Sequence, residues 1–263
     1  MLFTLKITLV PLIILLVSLA GRRWGPVVSG LLGGMPIVVG PILFLLYLEN
    51  GALFALDAAA GSLAGVTSLS CFAIAYRKIS TRAGVAISLI GSVCAFLLAT
   101  YIALTWPMPN GISFVVALSV IAFCYTRAVW PSAQLRTGHP VPSREIAFRM
   151  MAAVILVMLI TLSSTILGPR LSGLLAPFPI AGTILAGFTH HYYGSDAAAS
   201  LLRGFLRGLV GMATFDYALI LGGGALGFNP AFMSALVLGF AAAAVVTFGC
   251  RRWESTRVTM AML

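Results

Sequence analysis

The chain has 263 residues, of which 60% are hydrophobic and 8% are charged, and its mean hydropathy is +1.08. This composition leaves too little polar surface to cover a globule in water, which excludes an ordinary soluble domain. The net charge of +10 would suit nucleic acid, but membrane topology accounts for it, and no nucleic-acid partner is expected. The sequence predicts an integral membrane protein whose first partner is the lipid bilayer.

Nine apolar runs are long enough to cross about 30 Å of hydrocarbon as α-helices. They show no dyad alternation of the kind found in β-barrel strands, so the predicted fold is all-α. In chain order, the predicted spans one to nine are 3–20, 27–48, 52–76, 83–106, 112–130, 146–168, 171–193, 198–224 and 229–250.

The first span also resembles a signal peptide, because Lys6 precedes most of its apolar run and the small residues Ser18 to Gly21 end it. However, Arg22 and Arg23 come directly afterwards, and positive charge at this place opposes export of the adjoining chain. We therefore expect span one to remain in the protein.

The basic residues are distributed asymmetrically if the nine spans alternate across the bilayer. Twelve of the sixteen fall on one side and two on the other. The positive-inside rule then predicts a multi-pass protein of the bacterial inner membrane, with its N-terminus outside and its C-terminus in the cytoplasm. The cytoplasmic set is Arg22, Arg23, Arg77, Lys78, Arg82, Arg127, Arg136, Arg144, Arg149, Arg251, Arg252 and Arg257, and the outer pair is Lys6 and Arg170.

An internal repeat is visible when the chain is aligned with itself so that Gly25 meets Gly168. The stretch 25–38 (GPVVSGLLGGMPIV) matches 168–181 (GPRLSGLLAPFPIA) at eight of fourteen positions. Over residues 25–72 this ungapped register gives fourteen identities, where composition alone would give roughly four. We interpret the chain as an internal duplication.

The duplication predicts a single transmembrane domain of two inverted repeats. Each span of the first copy is five spans away from its equivalent in the second copy. Because five is an odd number, the two copies of four helices enter the membrane from opposite sides. The predicted boundaries are about 1–106 for the first repeat, about 107–143 for the connecting helix and about 144–253 for the second repeat.

Spans two and seven contain helix-breaking residues at equivalent positions. Pro36 and Pro179 each remove a backbone donor, and the freed backbone groups need protein or a water-filled cavity around them. A kinked packing helix is the structural alternative; the symmetric placement favours a midplane site. The candidate substrate-binding residues are Ser29, Gly33, Gly34, Pro36, Ser172, Pro177, Pro179 and Arg207.

Ionisable residues inside spans are costly and therefore functional candidates. Arg203 and Arg207 share one face of span eight, whereas Asp216 points roughly the opposite way. The arginines could instead snorkel to the cytoplasmic headgroups. Asp216 is the first candidate for ion or proton coupling, with a structural ion pair to Lys6 or Arg170 as the alternative, and Asp57 is the second candidate.

Small residues are spaced for close helix packing at equivalent positions of spans three and eight. Gly61 and Gly65 form one Gly-x-x-x-Gly pair, and Gly204 and Gly208 form the other. Such pairs let helix backbones approach closely, either within the chain or between copies in a homo-oligomer.

No motif of an enzyme, a cofactor or a metal site is found. The chain has no H-E-x-x-H, G-x-S-x-G or Walker loop. His190 and His191 are adjacent, so on a helix they point about 100° apart and do not form a metal site. We expect no enzymatic activity, no cofactor and no metal.

The second half resembles the GlpM family of small bacterial inner-membrane proteins. The family carries Gly-Leu followed by Phe-Pro early in an apolar span, here Gly173-Leu174 and Phe178-Pro179. The resemblance covers about the last 115 residues directly and the first half through the duplication. It implies a membrane location and a tandem arrangement of this fold, and it supplies no substrate.

Three functions are consistent with these patterns. The first is a secondary transporter or permease for a small solute, an anionic one among the candidates, with its site at the breaks in spans two and seven. The second is a lipid-handling protein such as a flippase, and the third is a non-transporting subunit of a membrane complex. A closed polar cavity would favour the first, and a groove open to the bilayer would favour the second.

Overall fold

The computed structural model of the protein describes residues 2–37, 39–128, 147–152, 155 and 179–261. Within these ranges the chain is helical and forms no β-strand, so the all-α prediction is confirmed. In chain order the helices are α1, Leu2–Trp24; α2, Pro26–Gly34; α3, Val39–Asn50; α4, Ala52–Ser80; α5, Val85–Thr105; α6, Asn110–Arg127; α7, Ile180–Tyr193; α8, Ser195–Leu226; and α9, Phe228–Ala261.

Six segments of the described chain are long and apolar enough to cross a membrane, which makes this a multi-pass membrane protein. The first of the remaining predicted spans, 3–20, lies within α1. Most of span 146–168 and the first part of span 171–193 lie outside the described residues, so the number nine stays a prediction. The six are Pro26–Asn50, Ala52–Ser80, Val85–Thr105, Asn110–Arg127, Ser195–Leu226 and Phe228–Cys250.

The second predicted span is divided into two half-helices. α2 ends at Gly34 and α3 begins at Val39, with Pro36 in the turn between them. The carbonyl of Pro36 accepts a 2.8 Å hydrogen bond from the amide of Gly40, which continues the chain into α3. A proline has no amide donor and clashes with the carbonyl of a preceding turn, so α2 does not continue through this position.

The long helices α4 and α8 cross at the centre of the molecule and run antiparallel. Leu56 lies beside Gly223 near one end, and Arg77 lies 3.6 Å from Asp196 at the other. Residue numbers therefore rise along α4 as they fall along α8. The buried cores of both helices belong largely to one apolar cluster.

The half-helix α2 packs parallel to α8 through glycines on both helices. An added Cβ on Gly30 or Gly34 would overlap backbone atoms of α8, and one on Gly204 or Gly208 would overlap backbone atoms of α2. This backbone contact gives van der Waals packing, which is the main source of helix association in lipid. The Gly-x-x-x-Gly pair of α8 is thus used within the chain.

The remaining helices surround this centre. α9 packs antiparallel on α8 through Gly211 and Gly239, which face each other. α6 also packs on α8, where Phe114 stacks on Tyr217 with ring centroids 4.6 Å apart. α7 contacts both α2 and α8. α8 is consequently covered along most of its length.

Candidate solute and ion site

The interruption between α2 and α3 lies beside the middle of α8. Gly34 packs on the backbone of Phe205 and Leu209, and Gly40 lies next to the ring of Phe215. The turn between them therefore faces the central part of a helix that has 32 residues. Pro36 is buried there.

Pro179 directly precedes α7, as Pro36 stands shortly before α3. It is buried, and its carbonyl accepts the amide of Thr183 at 2.7 Å, as the carbonyl of Pro36 accepts that of Gly40. Gly182, in the next turn, packs against the ring of Phe72 in α4. Ser172 and Pro177, the other candidates of this segment, lie outside the described residues.

The half-helix α2 and the helix α7 pack against the same apolar core. α2 contacts α7 directly, and Ile37 of the first interruption packs on the buried cluster that contains Phe72, Leu185 and Leu209. Apolar side chains of this cluster pack around the turn between α2 and α3.

Asp216 is a completely buried carboxylic acid at the contact between α4 and α8. It has 0% exposure, and its Oδ2 accepts a 2.7 Å hydrogen bond from the hydroxyl of Ser62. Its Oδ1 has no hydrogen-bond partner among the residues that the structure describes. Burying such a group without full hydrogen bonding is energetically costly.

Arg203 and Arg207 are buried as well, with exposures of 6% and 3%. The Nε and Nη2 atoms of Arg207 donate hydrogen bonds of 3.1 and 2.5 Å to the hydroxyl of Tyr125, and its guanidinium lies 5.4 Å from the centre of that ring. Protein therefore covers both side chains.

Three predicted candidates lie away from these buried polar groups. Ser29 is buried, but it faces α1, where it packs against Gly21. Gly33 is half-buried, and Asp57 is exposed on α4. The contacts of Asp216 and Arg207 in the described chain are made by other residues.

Two partners of the buried charges were not predicted from the sequence. Ser62 stands between the glycines of the small-residue pair in α4, and Tyr125 lies in the last turn of α6. Serine and tyrosine are common in membrane helices, so the sequence alone does not mark either residue as part of a site. The contacts arise from the way α4 and α6 cross α8.

At the end of α4, polar contacts tie three helices together. Arg77 lies 3.6 Å from Asp196 at the start of α8. The buried hydroxyl of Tyr76 lies 3.1 Å from Nδ1 of His190 in α7. These contacts close one end of the α4, α7 and α8 group, on the side predicted to be cytoplasmic.

An apolar cleft of about 590 Å³ lies between α5, α7 and the residues Phe148, Ala152 and Ile155. Its wall includes Leu89, Phe148 and Phe188, with Thr183 and His191 among its few polar residues. The cleft is separate from Asp216 and Arg207, and its lining suits hydrocarbon better than a polar solute.

The fold and the buried polar groups define the class: a multi-pass helical membrane protein with a divided helix and charged side chains in its core. No protein-family model, curated protein or solved structure matches the chain. The resemblance to the GlpM family accordingly stays a prediction.

Proposed function

We propose that the protein is a secondary transporter of the bacterial inner membrane that moves a small solute. One observation carries the proposal: Pro36 and Pro179, which are equivalent in the repeat, each precede a short helix that packs beside a central helix. Interrupted helices at corresponding places are the feature by which many transporters present backbone groups to a solute.

The helix boundaries support the duplication on which this proposal depends. In the register that pairs Gly25 with Gly168, the first residues of α4 and α8 coincide, and so do those of α5 and α9. Gly51 and Gly194, which precede α4 and α8, both have φ of 86° and have ψ of 175° and 172°. Phe72 and Phe215 are identical in the repeat, and each packs near the start of a half-helix of the other copy.

The helix directions support inversion of the two copies. α4 and α8, equivalent helices of the two repeats, run antiparallel, as the third and eighth of nine alternating spans would. α2 runs parallel to α8, as spans two and eight would. Equivalent helices that cross in opposite directions allow one copy to move against the other around a central site.

Asp216 is our candidate for the coupling group of this transporter. A carboxyl group can take up and release a proton, and this one lies in the core between the two equivalent helices α4 and α8. A movement of α4 against α8 would separate Ser62 from Asp216 and change the hydration of the carboxyl group. Proton exchange would thereby be linked to the movement.

A lipid-handling protein is the second candidate function, and the apolar cleft favours it. The cleft is lined almost entirely by hydrocarbon and aromatic side chains and adjoins α5, a helix with many exposed apolar residues. An acyl chain would fit such a lining. A scrambling assay with fluorescent phospholipids in proteoliposomes separates this function from solute uptake.

The transport proposal is tested by comparing metabolite uptake in a deletion strain complemented with variants. Pro36→Ala and Pro179→Ala would allow helical hydrogen bonding to resume and should reduce uptake of the affected solute several-fold while membrane insertion is retained. Pro26→Ala is the matched control, because a proline at the first position of α2 removes no helical hydrogen bond. Unchanged uptake in both test variants would leave the prolines as packing features and remove the main support for transport.

A further inference from the structure

Asp216 lies on the side of α8 opposite to Arg207. Arg207 precedes it by nine residues, which places the two side chains about 180° apart around the helix axis and about 14 Å apart along it. Arg207 donates two hydrogen bonds to the hydroxyl of Tyr125 in α6. The two charged residues of α8 therefore do not pair with each other.

The helices that contact α8 carry their described basic residues near the end where α8 begins. This position follows from the directions of the helices, since Arg77 lies beside Asp196 and Gly239 lies beside Gly211. Near the other end of α8 the charged residue of α4 is Asp57, which is exposed and acidic. The basic residues concerned are Arg77 and Lys78 of α4, Arg127 of α6, His190 and His191 of α7, and Arg251, Arg252 and Arg257 of α9.

Apolar side chains enclose the contact between Ser62 and Asp216 along both helices. Leu63, the next residue of α4, belongs to one buried cluster, whereas Ala59 and Leu219 belong to the other. All three have 0% exposure, as Asp216 does. In the described surroundings the Ser62 hydroxyl is thus the one side-chain group that forms a hydrogen bond with the carboxyl group.

This environment favours a carboxylic acid over a carboxylate. An ionised carboxylate has about four acceptor positions to fill, and burial of an unpaired charge costs far more free energy than burial of a neutral polar group. Ser62 donates to Oδ2, and Oδ1 has no partner among the described residues. A proton on Oδ1 removes the charge and leaves Oδ2 as the acceptor that the structure shows.

A metal cation fits the same place less well than a proton. Hard cations take about six oxygen ligands, and the side chains in contact here supply the Asp216 carboxyl group and one hydroxyl, whose hydrogen points at Oδ2. The described chain also contains no group of three or more His, Cys, Asp or Glu side chains that could hold a metal.

We infer that Asp216 is a protonated carboxylic acid in this structure, so that the ion it binds is a proton and the structure is the proton-loaded state. As the identification of the coupling ion, this inference rests on the transport function proposed above; as a proton site, it stands on the packing of α4 against α8. Release of the proton requires water at Oδ1, and water enters when α4 separates from α8.

The charge state is read from the infrared spectrum of the full chain in dodecyl maltoside micelles, which contain no ester carbonyl groups. We expect the carbonyl band of a protonated carboxyl group at neutral pH. Labelling aspartate with ¹³C at its side-chain carboxyl carbon should shift this band to lower frequency, which assigns it to aspartate without any substitution. Asp57 and Asp196, the other aspartates of the chain, are exposed.

Three variants assign the band to one residue. Asp216→Asn should remove it, whereas Asp57→Asn, the matched control at an exposed aspartate of α4, should retain it. Ser62→Ala should retain the band and move it to higher frequency, because the carbonyl oxygen loses its hydrogen bond. Absence of a label-sensitive band, or a band that Asp216→Asn retains, would overturn the inference. Should Asp216→Asn fail to stay monodisperse, the label and Ser62→Ala decide.

Added salts distinguish a proton from a metal cation, and uptake separates this inference from transport. The band should persist in saturating sodium, potassium or calcium chloride; its loss in one of these salts would assign the site to that cation and overturn the inference. An ionised Asp216 in a protein that still takes up solute would also overturn it and leave the transport proposal. A protonated Asp216 in a protein that moves no solute would refute transport and leave the proton site.

Discussion

The hydroxyl of Ser62 in α4 donates a 2.7 Å hydrogen bond to the Oδ2 atom of Asp216 in α8. The two residues come from equivalent helices of the proposed repeats, but they are not equivalent to each other. In the register of the repeat, Ser62 is equivalent to Phe205, and Asp216 is equivalent to Ala73. The pair therefore breaks the symmetry of the duplication, and departure from symmetry at a buried carboxyl group is consistent with a specialised role.

Asp216→Asn should abolish the dependence of uptake on a proton gradient, because an amide keeps the size of the side chain but exchanges no proton. Solute exchange in the absence of a gradient should continue. Uptake is measured in proteoliposomes with an imposed pH difference. Ser62→Ala serves as the comparison: it should cost about 1 kcal/mol of stability and retain proton dependence. Proton-driven uptake that persists in Asp216→Asn would exclude this carboxyl group as the coupling group.

Gly204→Ala should destabilise the packing of α2 on α8. The added Cβ would overlap the backbone carbonyl of Val27, and relief requires the two helices to move apart at a cost of about 1–3 kcal/mol or more. Unfolding in mixed detergent micelles measures the change. Gly224→Ala, on the same helix with open space around its Cβ position, should have little effect. Equal stabilities of the two variants would contradict this packing.

Gly51→Ala and Gly194→Ala should destabilise the protein by similar amounts, about 1–2 kcal/mol each. Both glycines have φ of 86°, a backbone conformation that residues with a Cβ rarely adopt. Gly84 precedes α5 with φ of −69° and has free space around it, so Gly84→Ala should be tolerated. Thermal unfolding followed by tryptophan fluorescence compares the three. A large difference between the two test variants would argue against equivalent roles.

Reporter fusions test the orientation of the whole chain. A fusion after Leu263 should give the activity of a cytoplasmic reporter, and one near Asn110, at the start of α6, should give that of an external reporter. The paired use of alkaline phosphatase and green fluorescent protein distinguishes the two sides. An external C-terminus would mean that the number of spans is not nine and would remove the inverted arrangement.

The sequence by itself determined the class of the protein and the helical nature of its fold. Apolar runs of sufficient length indicate both a membrane protein and a helical fold, because a chain in hydrocarbon must satisfy its backbone hydrogen bonds within each segment. The sequence also indicated a break near Pro36, since proline cannot donate within a helix. These properties depend on local composition, so they can be predicted without knowing which helices contact each other.

Only the tertiary structure decided which polar side chains meet. Their positions along the chain make Ser29 and Asp57 candidate site residues, yet Ser29 faces α1 and Asp57 lies on the exposed surface of α4. Ser62 and Tyr125 gave no signal, yet they contact Asp216 and Arg207. The periodicity of a helix tells which residues share a face, but the rotation of that face depends on packing against other helices. Here the crossings of α4 and α6 on α8 set the surroundings of Asp216 and Arg207.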